Sequence, residues 1–151
     1  MVRSRLKLLL PVLIGTFVAG GCGEGEDPVE PDNSPPDLTG TYTLRSLSSI
    51  LTAGETLTAP AVSGTFEVTQ LTVVGPEASG TMTVEVMLPD GAGGTQLITD
   101  EGTYTVRTDG TWEQAGQVLQ GKGTYELEGG TLTVVVTEPA FSVSTTVWQR
   151  Q

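Results

Sequence analysis

A five-residue phrase recurs along the chain: glycine, threonine, a large apolar residue, a polar residue, then an aliphatic one. It stands at Gly40-Thr41-Tyr42-Thr43-Leu44, Gly64-Thr65-Phe66-Glu67-Val68, Gly80-Thr81-Met82-Thr83-Val84, Gly102-Thr103-Tyr104-Thr105-Val106, Gly123-Thr124-Tyr125-Glu126-Leu127 and Gly130-Thr131-Leu132-Thr133-Val134, with a clipped copy at Gly110-Thr111-Trp112. Alternation with a period of two sends the large residue and the aliphatic one to one face of a β-strand and the polar ones to the other. Each glycine permits a turn or a close backbone approach where the strand begins. A chain written this way is confined to an all-β fold with one buried face per strand.

Eight strands follow from the pattern: 40–47, 64–74, 79–88, 95–107, 110–114, 121–127, 130–137 and 142–150. Short connections pair neighbours antiparallel. Thr108-Asp109-Gly110-Thr111 suits a two-residue hairpin with both central residues at positive φ, Glu128-Gly129-Gly130 is the next best turn, and Pro89 to Gly94 is a longer loop. Phe66 and Val68 fall out of phase with Leu71 and Val73, which predicts a bulge near Thr69 and Gln70, and Asp100-Glu101-Gly102 predicts a second interruption. Tyr42, Leu44, Phe66, Val68, Met82, Val84, Val86, Tyr104, Val106, Trp112, Tyr125, Leu127, Leu132, Val134 and Val136 are expected to face inward. Phe141, Val143 and Val147 share a phase that excludes Trp148, so either a bulge shifts the last strand or Trp148 packs outside. Eight such strands close into a barrel or pair as a sandwich. Closure requires the last strand, at Val147 to Arg150, to meet the first, at Gly40 to Leu44, bringing Trp148 or Arg150 against Tyr42.

The first 21 residues have a different character. Arg3, Arg5 and Lys7 precede an apolar run from Leu8 to Val18, and Ala19-Gly20-Gly21 leads to Cys22, the only cysteine. This is the layout of a secretory signal peptide, and Pro11 and Gly15 with the short core argue against a membrane span. From Gly23 to Asp37 there are six carboxylates, four prolines and one aliphatic residue. Such a stretch buries too little to order itself. At about 3.1 Å per residue it forms a tether reaching roughly 45 Å. The expected organisation is therefore a signal peptide over 1–21, Cys22 and an acidic tether over 22–37, and a β-domain over 38–151.

Val18-Ala19-Gly20-Gly21-Cys22 resembles the lipobox of bacterial lipoproteins, with Ala19 where leucine is usual. The resemblance implies cleavage before Cys22 and lipidation of its thiol, hence anchoring in a membrane; two or three acyl chains hold stably where one does not. Gly23 occupies the place where aspartate marks inner-membrane retention, so the pattern implies the outer membrane. Leu38-Thr39-Gly40-Thr41-Tyr42, the long Ser48 to Ser63 connection, the short hairpins after it and the final Val147-Trp148-Gln149-Arg150 resemble bacterial lipocalin-like domains. That resemblance implies an eight-stranded antiparallel up-and-down barrel with the long connection lying across its open end as a lid.

Composition narrows the chemistry. Histidine is absent, which removes imidazole bases and imidazole metal ligands, and one cysteine allows neither an internal disulfide nor a thiolate cluster. Cleavage would leave Arg45, Arg107, Lys122 and Arg150 against all 18 carboxylates, a net charge of −14 that repels nucleic acid. Asp100 and Glu101 are sequence neighbours on a strand and point apart, so a solvated loop is expected there rather than a catalytic dyad. Asp90 is expected to shape its glycine-rich loop, since one carboxylate falls short of the oxygens calcium takes. No catalytic residue, metal or cofactor is expected. The expectation is a non-enzymatic, lipid-anchored envelope protein whose barrel binds a small apolar ligand through Tyr42, Phe66, Met82, Val84, Tyr104, Trp112 and Tyr125. The alternative is a packed barrel acting as a structural or protein-interaction module; an eight-stranded barrel is wide enough for either.

Overall fold

The computed structural model describes residues 33–151; the expected signal peptide, Cys22 and most of the tether lie outside the described residues. Nine strands follow one another: β1 Gly40–Ser49, β2 Thr56–Thr58, β3 Ser63–Val74, β4 Glu77–Pro89, β5 Thr95–Arg107, β6 Thr111–Gly116, β7 Gln120–Glu128, β8 Thr131–Glu138 and β9 Ser144–Arg150. All pairings are antiparallel. From β3 to β9 each strand pairs with the next, β1 pairs with β3, and β9 returns to β1, so eight strands form a closed up-and-down barrel. Closure runs through Tyr42↔Arg150, Thr43↔Gln149 and Leu44↔Trp148, then, after a bulge at Arg45, from Ser46↔Val147 to Ser49↔Ser144. The sandwich is thereby excluded. The short β2 adds to β1 beyond the end of β3, through Ser46↔Thr58 to Ser48↔Thr56.

The alternation that predicts the strands also fixes the interior. Of the fifteen residues expected inside, all but Leu127 are buried, and Leu127 packs against the core partly covered. Leu38, Leu47, Val62, Ala78, Leu88 and Trp148 join them. Trp148 takes neither course expected for it. It is buried without any shift in the β8–β9 ladder, because β9 begins only at Ser144, after a short 3-10 turn at Ala140–Ser142, and Phe141 and Val143 precede the strand. The bulge lies instead in β1, where Arg45 brings both Leu44 and Leu47 inside.

Two other expectations change. The predicted β3 bulge is present, between Gln70 and Thr72, but β5 runs unbroken through Asp100-Glu101-Gly102 and stays in register with β4 from Thr95↔Pro89 to Arg107↔Glu77. At Thr108-Asp109-Gly110 only Gly110 has positive φ, its N–H donates to Arg107 O, and the Asp109 carboxylate accepts from Thr111 N, making a three-residue turn. The two-residue hairpin with both central φ positive forms at Gly129-Gly130 instead, where each position is a glycine. Some glycines of the recurring phrase serve close approach rather than turning: a Cβ on Gly123 would lie 1.8 Å from Val135 O, and one on Gly80 1.9 Å from Thr69 O. Gly80 pairs with Tyr104 and Gly123 with Trp112, so small inward positions stand beside the largest rings.

One end of the barrel is closed by side chains. The Tyr42 hydroxyl donates to Leu38 O at 2.8 Å and accepts from Arg150 Nε and Nη2 at 3.1 and 2.6 Å, while Nη2 also donates to Asp37 O. The Arg150 guanidinium carbon lies 5.2 Å from the centre of the Tyr42 ring, a cation–π contact across the closing seam. The Tyr104 hydroxyl is buried with no partner. Desolvation, helped by the charge of Asp37, pushes it well above the ordinary phenol range, and desolvation also raises Tyr125. A raised folded-state value means that the contribution to stability is fully present below the unfolded value of about 10 and is lost as pH rises through the folded one. Tyr104→Phe should therefore be at least as stable as the parent at pH 7 and lose less stability between about pH 10 and 12. Tyr42→Phe, which leaves a carbonyl and a guanidinium short of a partner, should cost about 2 kcal/mol. Urea titrations across pH check both, and a Tyr104→Phe protein clearly less stable at pH 7 would contradict the first.

Candidate functional site

The strands alternate in direction, so the connections gather at two ends. Opposite the Tyr42–Arg150 seam lie the connections after β1, β4, β6 and β8. There the interior opens into a cavity of about 290 Å³. Its floor and walls are Phe66 of β3, Met82, Val84, Val86 and Leu88 of β4, Ile98 of β5, Trp112 and Gln114 of β6, Val134 and Val136 of β8, and Thr146 and Trp148 of β9. Its rim is Ile50 and Leu51 from the first connection, Val118 and Leu119 from the β6–β7 turn, and Phe141 and Val143 before β9. Ile50, Leu51, Val118 and Phe141 are 53, 57, 62 and 70% exposed, so apolar side chains that would ordinarily be covered ring the mouth. No side chain that lines the cavity is ionisable.

Alternation explains which residues reach it. Even-numbered positions of β4, β5 and β6, and of β3 before its bulge, point inward, and those toward the open end meet empty space, whereas those toward the seam meet one another. Of the seven residues expected to touch a ligand, Phe66, Met82, Val84 and Trp112 line the cavity. Tyr42, Tyr104 and Tyr125 do not line it. They pack on its floor from the other side, with Tyr42 6.4 Å from Phe66, Tyr104 stacked on Trp112 at 5.3 Å and 9°, and Tyr125 6.4 Å from Trp112. Sequence reasoning missed Trp148, 5.1 Å from Phe66, and Gln114, whose place in the phase of Trp112 is the signal that could have found it.

The connection expected to be a lid is one side of the mouth. Ser49 caps the 3-10 turn Ile50–Thr52 with a reciprocal pair of hydrogen bonds to Thr52, and β2 then folds back onto β1. Its four apolar residues divide: Val62 enters the core, Leu57 packs against it partly covered, and Ile50 and Leu51 stand at the rim.

Asp100 corrects a further expectation, since it is buried rather than in a solvated loop. It lies on the inward face of β5 beyond the last β6 partner, where Oδ1 accepts from Gln117 N and Val118 N at 2.8 and 3.0 Å and Oδ2 accepts from Leu119 N at 2.7 Å. One carboxylate thus satisfies three backbone donors of the turn that carries Val118 and Leu119 to the rim. Gly116 leaves room for it, because a Cβ there would overlap Asp100 Oδ2. Glu101 points to solvent. Asp90 accepts from Ala92 N and Gly94 N and so shapes its own loop. Among the described residues no group of three histidine, cysteine, aspartate or glutamate side chains is placed to hold a metal ion.

Two substitutions separate the cavity from its frame. Asp100→Ala should destabilise by about 2 kcal/mol, since three partly covered donors lose a buried charged acceptor, and amide exchange at Gln117, Val118 and Leu119 should quicken most. Val84→Phe projects a larger ring into open space and should leave the melting temperature unchanged or raised; a fall of the size produced by overpacking, about 1 to 3 kcal/mol, would show that the space is already filled.

Comparison with protein-family models, with curated proteins and with solved structures finds no match for the chain.

Proposed function

We propose that the chain is a non-enzymatic envelope lipoprotein, anchored through lipid on Cys22 at the outer membrane, whose lipocalin-like barrel holds a small apolar molecule in its open end. The observation that carries the binding half is the cavity of about 290 Å³ with uncharged walls and an exposed apolar rim. Pockets of this kind, mostly apolar with a few polar groups, are where small molecules bind. The anchoring half rests on the leader, the lipobox-like Val18 to Cys22 and the acidic tether. Asp37 and Leu38 join the barrel at the Tyr42–Arg150 seam, at the end opposite the mouth.

A second reading, an interaction module of the envelope, draws on a different feature. Leu71, Val73 and Val74 at the seam end of β3 are exposed and apolar, a surface that a protein partner could cover.

Titration of the domain with 1-octanol distinguishes the readings. Trp112 and Trp148 line the cavity, so binding should change tryptophan fluorescence, saturably and with a dissociation constant of about 10 µM for a ligand of roughly ten non-hydrogen atoms. Val84→Phe should weaken it at least about tenfold, the cost of losing 1.4 kcal/mol of contact. An unsaturable response, or one untouched by Val84→Phe, leaves the interaction module as the better reading. For the anchor, Cys22→Ser should move the full chain from the membrane pellet to the soluble fraction, because an acidic tether and domain have no other affinity for anionic headgroups. A mutant that still pellets with the envelope contradicts lipid anchoring.

A further inference from the structure

The cavity carries one polar group whose chemistry is fixed from within. Gln114 faces inward beside Trp112, and its Oε1 accepts from Trp112 Nε1 at 2.7 Å. An indole N–H only donates, so the amide oxygen must be the atom turned to it, and the amide nitrogen is turned away. That nitrogen has no acceptor among the described residues. It is a donor without a protein partner on a residue that lines an apolar cavity. The other polar side chains there are hydroxyls: that of Ser49 already accepts from Leu51 N, that of Thr146 donates to Val134 O at 3.5 Å, and those of Ser142 and Ser144 rotate to donate or accept, so none is a fixed free donor like the amide nitrogen.

We infer that the cavity selects an uncharged apolar molecule bearing a hydrogen-bond acceptor, such as an ester or ketone, seated with its oxygen on the Gln114 amide nitrogen. This rests on the reading of the cavity as a ligand site. An alkane of the same size would fill the space and leave the donor unpaired, while a carboxylate would surrender its hydration with no cation on the lining to replace it. The carboxylates of Glu55 and Asp90 on the connections of the open end further oppose an anionic head left at the mouth. Gln114 thereby does two things at once: its oxygen holds the indole of the cavity wall in place, and its nitrogen reads the ligand.

The test compares octane, methyl heptanoate and octanoate at pH 8 on the soluble Cys22→Ser full chain, read by tryptophan fluorescence and calorimetry. The ester should bind about tenfold tighter than octane, the worth of one net hydrogen bond near the top of its range, and at least tenfold tighter than octanoate. Gln114→Leu should erase the preference for the ester while keeping octane binding, which also reports that the variant is folded. Because Gln114→Leu leaves the Trp112 N–H unpaired, Gln114→Glu provides the second variant: it keeps an acceptor for the indole, loses the amide donor, and should likewise lose the ester preference. Equal binding of octane and ester, octanoate binding as tightly as the ester, or a preference that survives both variants overturns the inference and leaves the ligand site standing. Failure of all three compounds to bind overturns the ligand site itself.

Discussion

A layer of six aromatic rings crosses the barrel, and the two halves of the interior differ because of it. Phe66 stands at the centre, 6.4 Å from Tyr42, 6.3 Å from Trp112 and 5.1 Å from Trp148, and Trp112 carries the layer onward to Tyr104 and Tyr125. These rings come from β1, β3, β5, β6, β7 and β9, so their contacts tie strands that the hydrogen-bond ladder links only through neighbours. Tilted, edge-on and stacked arrangements are the ones ring quadrupoles favour, each adding about 0.5 to 1.5 kcal/mol beyond burial. On the seam side, Leu38, Val68, Ala78 and Val106 complete a dry core. On the other side the inward residues are mostly Met, Val, Leu and Ile, which are too small to span the ring of strands, and the space between them stays open.

Much of this was legible in the sequence because it depends on a local rule. A period of two and the recurring glycine that opens each copy of the phrase suffice to place the eight strands, their order and nearly all the inward positions. The exceptions fall where a distant residue decides the outcome. Trp148 turns inward because its strand begins at Ser144, and the residues that suggested another phase, Phe141 and Val143, belong to a turn at the mouth. Leu38 and Val62 lie outside the strands and are buried by what they meet in space. Asp100 looks like a loop residue by composition, yet the turn after β6 offers it three N–H groups that cannot be seen in its own neighbourhood.

The site was legible only in half. Four of the seven expected ligand residues line the cavity, and three tyrosines pack beneath its floor, since alternation tells which face is inward but not at what height along the barrel. Whether space remains is set by the summed volumes of side chains from eight strands, a quantity no single segment holds. The charge distribution follows a similar division. Asp100 apart, the carboxylates of the described residues lie at the surface, where Glu77 and Glu113 pair with Arg107 and Glu113 with Lys122 in contacts of small worth, while the lining of the cavity carries no ionisable group. An acidic shell thus surrounds an apolar, open-ended interior.

The central claim is that the aromatic layer leaves a persistent empty space above it rather than one that the side chains fill. An empty apolar protein cavity of about 150 Å³ takes up xenon, and the larger apolar space here should do so too. A crystal of the domain pressurised with xenon tests this directly. Density for xenon bounded by Phe66, Met82, Val84, Trp112 and Trp148 is the predicted result; a xenon-free interior in which Phe66, Met82 or Trp148 has swung across to close the space would contradict it.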